Sequence, residues 1–354
     1  MYALDRAENR AETGTAAAVI SGRRARRRRW TAATALLAAA AFALCAAMLL
    51  LGNTIYPPGV VLRVLGGESI PGATFAVATL RLPRMLAGLM AGFAFGMAGS
   101  VFQTMLRNPL ASPNIIGVTS GSGAAAVFCI LILRVGGLTA SLSAAAAGLA
   151  VTALIYALSR SGGFSGGKLI LIGIGAQAML GALISFMLLK AATYDVPAAM
   201  RWLSGSLNAI QMKDLPPLAL CVLIFCPAVL LLGGRLNILE LGEHAAISLG
   251  VRADRTRAAL ILSSVCLLAF AASVTGPIAF VAFLSGPIAK RLAGAGRANE
   301  LPAGLAGAVL VLCSDLLGQF AFGVKYPVGV ITGILGAPYL IYLLIRKNKT
   351  GDSQ

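Results

Sequence analysis

The sequence predicts an all-α membrane protein that crosses the bilayer about ten times. Of its 354 residues, 58% are hydrophobic and only 12% are charged, and the mean hydropathy is +0.87. These values lie well outside the range of soluble domains. A bilayer core of roughly 30 Å needs about 20 consecutive apolar residues per helix, and the chain contains about ten such runs. This leaves no room for a large soluble domain.

The first apolar run follows a strongly basic N-terminus. Six arginines lie between positions 23 and 29, and the run extends from Trp30 to about Leu51. It is long for the apolar region of a signal peptide and lacks a convincing cleavage site. We therefore expect a retained first span and three divisions of the chain: a cytoplasmic Arg-rich tail (1–29), a transmembrane domain (30–346) and a cytoplasmic tail (347–354).

Nine further apolar runs follow, at about 82–104, 114–133, 138–159, 168–190, 215–232, 257–275, 277–293, 302–322 and 327–345. Alternate threading from an inside N-terminus places both termini in the cytoplasm. It also places 21 of the 29 Lys and Arg residues in cytoplasmic segments and the other eight outside. Cytoplasmic loops carry the excess of positive charge, so this asymmetry supports the orientation. The net charge of +17 thus reflects the orientation of the chain in the membrane. It does not indicate nucleic-acid binding, because the sequence contains no aromatic-basic module.

Cysteine and histidine usage argues against a metal centre or a hydrolase. All six cysteines lie inside apolar runs, without a CxxC motif or a Cys/His cluster, and we expect them to pack as small hydrophobic residues: Cys45, Cys129, Cys221, Cys226, Cys266 and Cys313. His244 is the only histidine, so a zinc site or a Ser-His-Asp triad would depend on one imidazole. We expect no catalytic residue, no bound cofactor and no metal. An intramembrane enzyme would need clustered polar groups that the sequence does not offer.

Glycines recur at helical spacing within several spans, as at Gly88, Gly92 and Gly96. Small residues at this spacing let helix backbones approach closely in a membrane. The pattern predicts a compact helical bundle.

Carboxylates are almost absent from the spans, and only Asp315 is expected to lie deep in the membrane. An interhelical hydrogen bond or a capping role is the favoured interpretation, with proton relay or substrate contact left open. Ion-coupled carriers commonly carry several intramembrane carboxylates. A secondary transporter therefore remains only an alternative, and a chain that moves solute without an ion site needs an external source of energy.

The chain offers no credible nucleotide site of its own. Residues 162–169 mimic the first part of a P-loop, but Leu169 stands where the motif needs Ser or Thr, and no buried strand precedes it. Any ATP must then be hydrolysed on another subunit. The connection at 239–251 has glycines around a short segment of helical character, which could dock on a partner or form an interfacial loop.

Several motifs in order closely resemble the FecCD-type permeases, the membrane subunits of type II ABC importers for ferric siderophores, haem and cobalamin. The matching segments cover about 30–346 and are Leu80–Arg84, Gly92, Gly99, Gln103, Arg107–Gly121, Trp202–Leu207, Leu241–Val251, Gly276–Val281 and Tyr326–Pro338. The resemblance implies a multi-pass permease of the cell inner membrane without its own ATPase site, most consistent with ferric siderophore uptake. Haem or cobalamin import is the alternative.

The same resemblance implies partners. A substrate-binding protein outside the cell would deliver the ligand, two ABC ATPase subunits would bind on the cytoplasmic side, and a second permease copy, identical or homologous, would complete a path at the dimer interface. The bilayer is a partner too, and nucleic acid is not.

Particular residues take roles by the same resemblance. Glu240, Gly242, Glu243 and Gly250 match the segment that couples the permease to the ATPase. Arg81 and Arg84 match the arginines that receive acidic side chains of the binding protein, with anchoring at the headgroup level as the alternative. Residues expected along the translocation path or in helix packing are Gly92, Gly96, Met97, Gln103, Asn108, Pro109 and Met179, together with Met187.

Three departures from the family pattern stand out. In the eighth run the chain has Gly286-Pro287, which shifts the proline by one position and removes the polar residue that usually follows it. Near the last span, Gln319 and Lys325 stand where the family usually has an arginine and a glutamate. One docking arginine is thus missing.

Overall fold

The structure is a computed structural model that describes residues 2–159, 166–294 and 296–351. The described residues form 13 α-helices and no strand, which confirms the all-α prediction. The helices are Tyr2–Leu50 (α1), Pro58–Leu65 (α2), Leu82–Met105 (α3), Val118–Phe128 (α4), Gly137–Ser159 (α5), Gly166–Lys190 (α6), Val196–Leu203 (α7), Pro216–Glu240 (α8), Glu243–Ser248 (α9), Ala253–Thr275 (α10), Val281–Ala293 (α11), Glu300–Phe320 (α12) and Val328–Gly351 (α13).

Each of the ten predicted runs contains a helix. Within the described ranges, seven helices are long and apolar enough to cross a membrane: Ile20–Leu50, Phe75–Met105, Gly137–Ser159, Gly167–Lys190, Pro216–Glu240, Ala253–Thr275 and Glu300–Phe320. Two shorter apolar helices, Val118–Leu133 and Val328–Tyr342, correspond to the third and tenth runs. Residues 162–165 of the P-loop-like segment lie outside the described residues, as do Met1 and 352–354.

The helix of the eighth run is shorter than the sequence predicts. It begins at Val281, not at 277, because Gly276 and Phe280 have positive φ values of +70° and +62° and keep the intervening residues in a turn. Thirteen residues rise about 20 Å, which is less than the roughly 30 Å of a bilayer core. Thus α11 spans only part of the membrane.

The first helix is longer than predicted. The sequence suggests a polar tail followed by a span, whereas α1 runs from Tyr2 to Leu50 without interruption. Arginine is a good helix former, so the basic segment continues the helix beyond the membrane.

The central helix of the bundle is α3, which packs against α1, α8, α10, α11 and α12. In its most apolar window 78% of the residues are buried, against 11% in α6. Consequently α3 forms the core, while α6 presents most of its apolar side chains to the outside.

The contact between α3 and α12 depends on glycine. A Cβ atom on Gly96 would lie 2.2 Å from the carbonyl oxygen of Ala303, and one on Gly92 would lie 2.6 Å from that of Gly307. No side chain fits at such distances, so the backbones meet directly. The prediction of close packing at this glycine spacing is confirmed.

The cysteines behave as predicted. Four are buried and two are half-buried, and all six are free thiols: Cys129, Cys221, Cys226 and Cys266 in the first group, Cys45 and Cys313 in the second.

Candidate functional site

Polar residues gather at the two ends of the bundle. We call the end that carries Arg84 the outer end and the end that carries Arg107 the inner end, after the orientation that the charge distribution predicts. The first residues of α3 lie at the outer end and its last residues at the inner end.

At the outer end, Arg84 forms a bidentate ion pair with Asp315. Its Nε donates to Asp315 Oδ2 over 2.8 Å and its Nη2 donates to Asp315 Oδ1 over 2.7 Å, while Nη1 donates to Asn208 Oδ1 over 2.5 Å. Gln319 Nε2 also donates to Asp315 Oδ2, over 2.8 Å. Asp315 is 1% exposed. The expected interhelical hydrogen bond of Asp315 is confirmed, and its partner is a predicted docking arginine.

Arg81 has an internal role as well. Its Nη1 donates to the carbonyl oxygens of Leu49 and Leu50 over 2.9 and 3.0 Å, and its Nη2 donates to that of Thr54 over 2.6 Å. The guanidinium also lies over the ring of Tyr56, 5.1 Å from its centroid. The bonds to Leu49 and Leu50 satisfy carbonyls that the end of α1 leaves without helical donors.

Between these groups lies an outer cavity of about 370 Å³. Arg81, Arg84, Asn208, Gln319 and Lys325 line it together with residues that follow α1. Lys325 is exposed, whereas the side chain of Arg84 is only 17% exposed. The cavity wall therefore carries three cations of graded accessibility.

Three motifs that are far apart in the sequence meet beside this cavity. Gly329 N donates to the carbonyl oxygen of Gly205 over 3.1 Å, and Ser206 N donates to that of Thr275 over 2.7 Å. A Cβ atom on Gly276 would lie 2.2 Å from the carbonyl oxygen of Trp202. The loops before α11 and α13 and the loop after α7 thus pack backbone to backbone, which explains their glycines.

Toward the inner end, Gln103 joins α3 to α11. Its Nε2 donates to the carbonyl oxygen of Phe283 over 2.8 Å. In a regular helix this carbonyl would accept from the residue four positions later, which is Pro287 and has no N–H. Gly286 provides the space, since a Cβ atom there would lie 2.0 Å from Gln103 Oε1. The Gly286-Pro287 departure is therefore compensated by the amide of Gln103.

An inner cavity of about 370 Å³ opens below Gln103. Its wall includes Arg107, Glu240, Lys290 and the almost completely buried Glu300. Lys290 Nζ donates to Glu240 Oε1 over 3.1 Å and so links α11 to the end of α8. Arg107 Nη2 donates to the carbonyl oxygen of Leu239 over 3.1 Å.

The predicted coupling segment forms the short helix α9. Gly242 precedes it with φ +125° and ψ 157°, a region essentially restricted to glycine, and Gly250 follows it with φ +79°. Glu243 accepts from Arg257 Nη2 over 3.3 Å, which attaches α9 to α10. The helical expectation for this segment is confirmed.

One face of this segment is apolar and exposed. Leu241, Ile247 and Leu249 are 68%, 58% and 61% exposed, whereas Ala246 is completely buried against the rest of the bundle. Arginines flank the segment at 235, 252 and 255. The surface therefore combines apolar side chains with positive charge, as partner-binding surfaces do.

The residues predicted along a path lie in different environments. Met97 is completely buried in the core and Met187 is 5% exposed, while Met179 on α6 is 69% exposed. Asn108 Oδ1 accepts from Leu110 N over 2.9 Å and shapes the turn after α3, and Pro109 lines the inner cavity. Within the described ranges, no group of three or more His, Cys, Asp or Glu residues is arranged to hold a metal ion.

Comparison with protein families gives a single assignment. The profile of the FecCD transport family matches residues 36–346. The chain belongs to this family. The FecCD match covers all described spans apart from the start of α1, and it makes the protein a permease subunit of an ABC transporter in the membrane.

Two bacterial FecCD proteins illustrate the similarity. The chain is 36% identical over 290 residues to the ferric enterobactin transport system permease protein FepG of Escherichia coli (strain K12), covering 82% of this chain and 88% of FepG. It is 37% identical over 305 residues to the achromobactin transport system permease protein CbrC of Dickeya dadantii (strain 3937), covering 84% and 86%.

A solved structure shares the fold. It is described as a metal-chelate type ABC transporter in an inward-facing conformation, and it matches with a TM-score of 0.79 and 27% identity over 88% of this chain and 98% of the other. The FecCD fold is therefore common to both.

Sequence reasoning missed several residues of this FecCD site. Neither Asn208 nor the acceptor carbonyl of Phe283 carries a sequence signal, because both depend on which loops meet. The pairing of Gln103 did have a sequence signal in the shifted proline. A proline inside a helix leaves one carbonyl without its donor, and that carbonyl needs a partner such as the Gln103 amide.

Proposed function

We propose that this permease imports a ferric siderophore across the cell inner membrane. The observation that carries the proposal is that FepG and CbrC, which are named for ferric enterobactin and achromobactin transport, are 36% and 37% identical to this chain over more than four-fifths of its length. Because the described residues include no cluster of three or more His, Cys, Asp or Glu side chains, a metal that travels inside its chelate fits this chain.

Substrate enters from a binding protein that docks at the outer end. Lys325 is an exposed cation of the outer cavity wall, and Arg84 keeps part of its guanidinium accessible beside the cavity. Because Arg81 and Arg84 are already bonded within the chain, they hold the docking surface in shape as well as adding charge. Acidic side chains of the binding protein would meet this positive surface.

Two ABC ATPase subunits act at the inner end, through α9. The apolar face of Leu241, Ile247 and Leu249 binds the ATPase, and the bonds of Glu243, Glu240 and Arg107 transmit its movement to α10, α11 and the α3–α4 connection. Under this proposal the inner end faces the cytoplasm, and the distribution of Lys and Arg supports that orientation.

A second permease copy completes the path. The outward apolar face of α6, with Met179 at its centre, supports a dimer interface, because most of this helix is not covered within one copy. The buried Gly92, Gly96 and Met97 belong to packing within each copy.

Uptake of radiolabelled ligands in a strain that lacks this permease tests the substrate. We expect uptake of ferric siderophores, and none of haem or cobalamin, after the gene is restored. A cobalamin import permease of Halobacterium salinarum is 34% identical over 77% of this chain, so cobalamin is the second candidate. Uptake of cobalamin alone would overturn the iron assignment and leave the transporter class unchanged.

Reconstituted vesicles test the class. Ligand should accumulate only when the ATPase subunits and ATP are present. Accumulation without them, driven by a proton gradient, would replace the proposal with a secondary transporter.

The docking surface is tested by charge reversal at exposed positions. Lys325→Glu should weaken binding-protein association and reduce its salt dependence. Lys213→Glu is the matched control, because Lys213 is exposed at the same end but does not line the outer cavity. Equal loss in both variants would contradict docking at the cavity.

A further inference from the structure

The inner end of α1 carries an unusual cluster of positive charge, which we call the Arg23–Arg28 cluster. Arg23, Arg24, Arg26, Arg27 and Arg28 are exposed and helical, directly before the membrane span. Neighbouring helical residues differ by about 100° in direction and 1.5 Å in height, so these five side chains cover an arc of about 200° within a layer of roughly 8 Å.

The part of α1 that follows the Arg23–Arg28 cluster borders the lipid. Only 22% of the most apolar window of α1 is buried, and Leu36 and Phe42 are 63% and 77% exposed. A phospholipid beside α1 would therefore meet apolar side chains along its acyl chains and arginines at its phosphate.

The height of the Arg23–Arg28 cluster is fixed by contacts of the next two residues. Arg29 donates from Nε to the carbonyl oxygen of Leu292 over 3.0 Å and from Nη2 to that of Arg291 over 2.6 Å. Trp30 Nε1 donates to the carbonyl oxygen of Ala298 over 3.0 Å. Thus α1 is attached to the inner end of α11 and to the connection before α12, and the Arg23–Arg28 cluster stays at the level where tryptophan marks the membrane interface.

We propose that the Arg23–Arg28 cluster binds the headgroups of anionic phospholipids in the leaflet at the inner end. Guanidinium groups pair bidentately with phosphate, and an additional negative headgroup charge strengthens the attraction. Clusters of four to eight basic residues beside a membrane span are typical of such recognition. The inference depends on membrane insertion alone and not on the transported ligand.

The test uses the full chain, purified in a neutral detergent and titrated with short-chain phosphatidylglycerol or phosphatidylcholine, with bound lipid counted by native mass spectrometry. We expect tight, saturable binding of phosphatidylglycerol only. The variant Arg26→Gln/Arg27→Gln should weaken this binding by at least tenfold, since each arginine near an anionic surface contributes roughly fivefold. Arg29 stays, because it holds α1 to α11.

The matched control is Arg252→Gln/Arg255→Gln, which removes two exposed arginines from the start of α10 at the same end. It should bind phosphatidylglycerol as the unaltered chain does. Equal loss in both variants, or equal binding of the two lipids, would overturn the proposal. Competition by millimolar inorganic phosphate would indicate a site for the free anion. If Arg26→Gln/Arg27→Gln lost ATPase association but kept its lipid binding, the arginines would bind a protein partner. Either this result or competition by phosphate would contradict the inference.

Discussion

Arg84 and Asp315 pair through two hydrogen bonds of 2.8 and 2.7 Å, although 231 positions separate them in the sequence. The pair joins the outer ends of α3 and α12, whose backbones already touch at Gly92 and Gly96 farther along. Because Arg84 also donates to Asn208, one guanidinium sets the relative position of two helices and the loop after α7.

Removing the carboxylate of this pair should destabilise the protein strongly. Asp315→Ala leaves a mostly buried guanidinium without its anion, and breaking a buried pair in this way costs about 3–5 kcal/mol. Thermal unfolding in detergent, followed with a thiol-reactive dye, provides the measurement, because four cysteines become accessible only on unfolding.

The control is the exposed pair between Arg63 and Glu68. Hydrogen bonding from Arg63 lowers the pKa of Glu68, yet both side chains are about half exposed, and water screens such pairs. Glu68→Ala should hardly change the unfolding temperature. A similar drop in unfolding temperature in the two variants would show that the buried Arg84–Asp315 pair stabilises the protein no more than the exposed pair does.

We expect Gln103 to stabilise the protein, because Pro287 cannot donate to the Phe283 carbonyl. Gln103→Leu keeps the size of the side chain but removes the amide that donates to the Phe283 carbonyl in place of an N–H at Pro287. A buried acceptor that loses its partner costs about 1–3 kcal/mol. The same unfolding assay measures this loss.

A double-mutant cycle identifies the cause. Pro287→Ala restores a backbone N–H that can donate to Phe283, so Gln103→Leu/Pro287→Ala should lose less stability than the sum of the two single variants. Additive losses would show that Gln103 acts by packing alone.

The sequence predicted features that depend on local chemistry. The glycine spacing at 92 and 96 predicted a close approach of helices, which the structure shows between α3 and α12, and the glycines at 242 and 250 lie at the ends of α9. In each case glycine is required by the local backbone, so the requirement is visible in the residue itself.

Contacts between distant segments could not be predicted from the sequence. The convergence of Gly205, Gly276 and Gly329 needs three loops to meet, and each motif alone gives no direction or distance. The prediction that the eighth run is helical from 277 was wrong for a similar reason. Residues 277–280 are apolar enough for a helix, but the surrounding backbone holds them in a turn.

Glycine substitutions should separate core helices from peripheral ones. Gly96→Ala places a Cβ atom 2.2 Å from the Ala303 carbonyl oxygen and should force α3 and α12 apart, with a stability loss of about 1–3 kcal/mol or more. In α6, a Cβ atom on Gly181 meets nothing within 4 Å in one copy. Gly181→Ala should leave the fold intact and raise helix stability by about 0.5–1 kcal/mol. Equal destabilisation by the two variants would contradict the packing argument.

The exposed side of α9 should govern association with the ATPase. Ile247 is 58% exposed, so Ile247→Ser should not change the stability of the permease alone. If the ATPase buries this side chain, the lost apolar contact of about 1.5–3 kcal/mol corresponds to a roughly 10- to 100-fold weaker complex. Leu292→Ser is the control, since Leu292 is an exposed apolar residue at the same end but on α11. Titration of labelled ATPase onto permease in nanodiscs measures the affinity, and an unchanged affinity for Ile247→Ser would exclude α9 as the contact through which the ATPase acts.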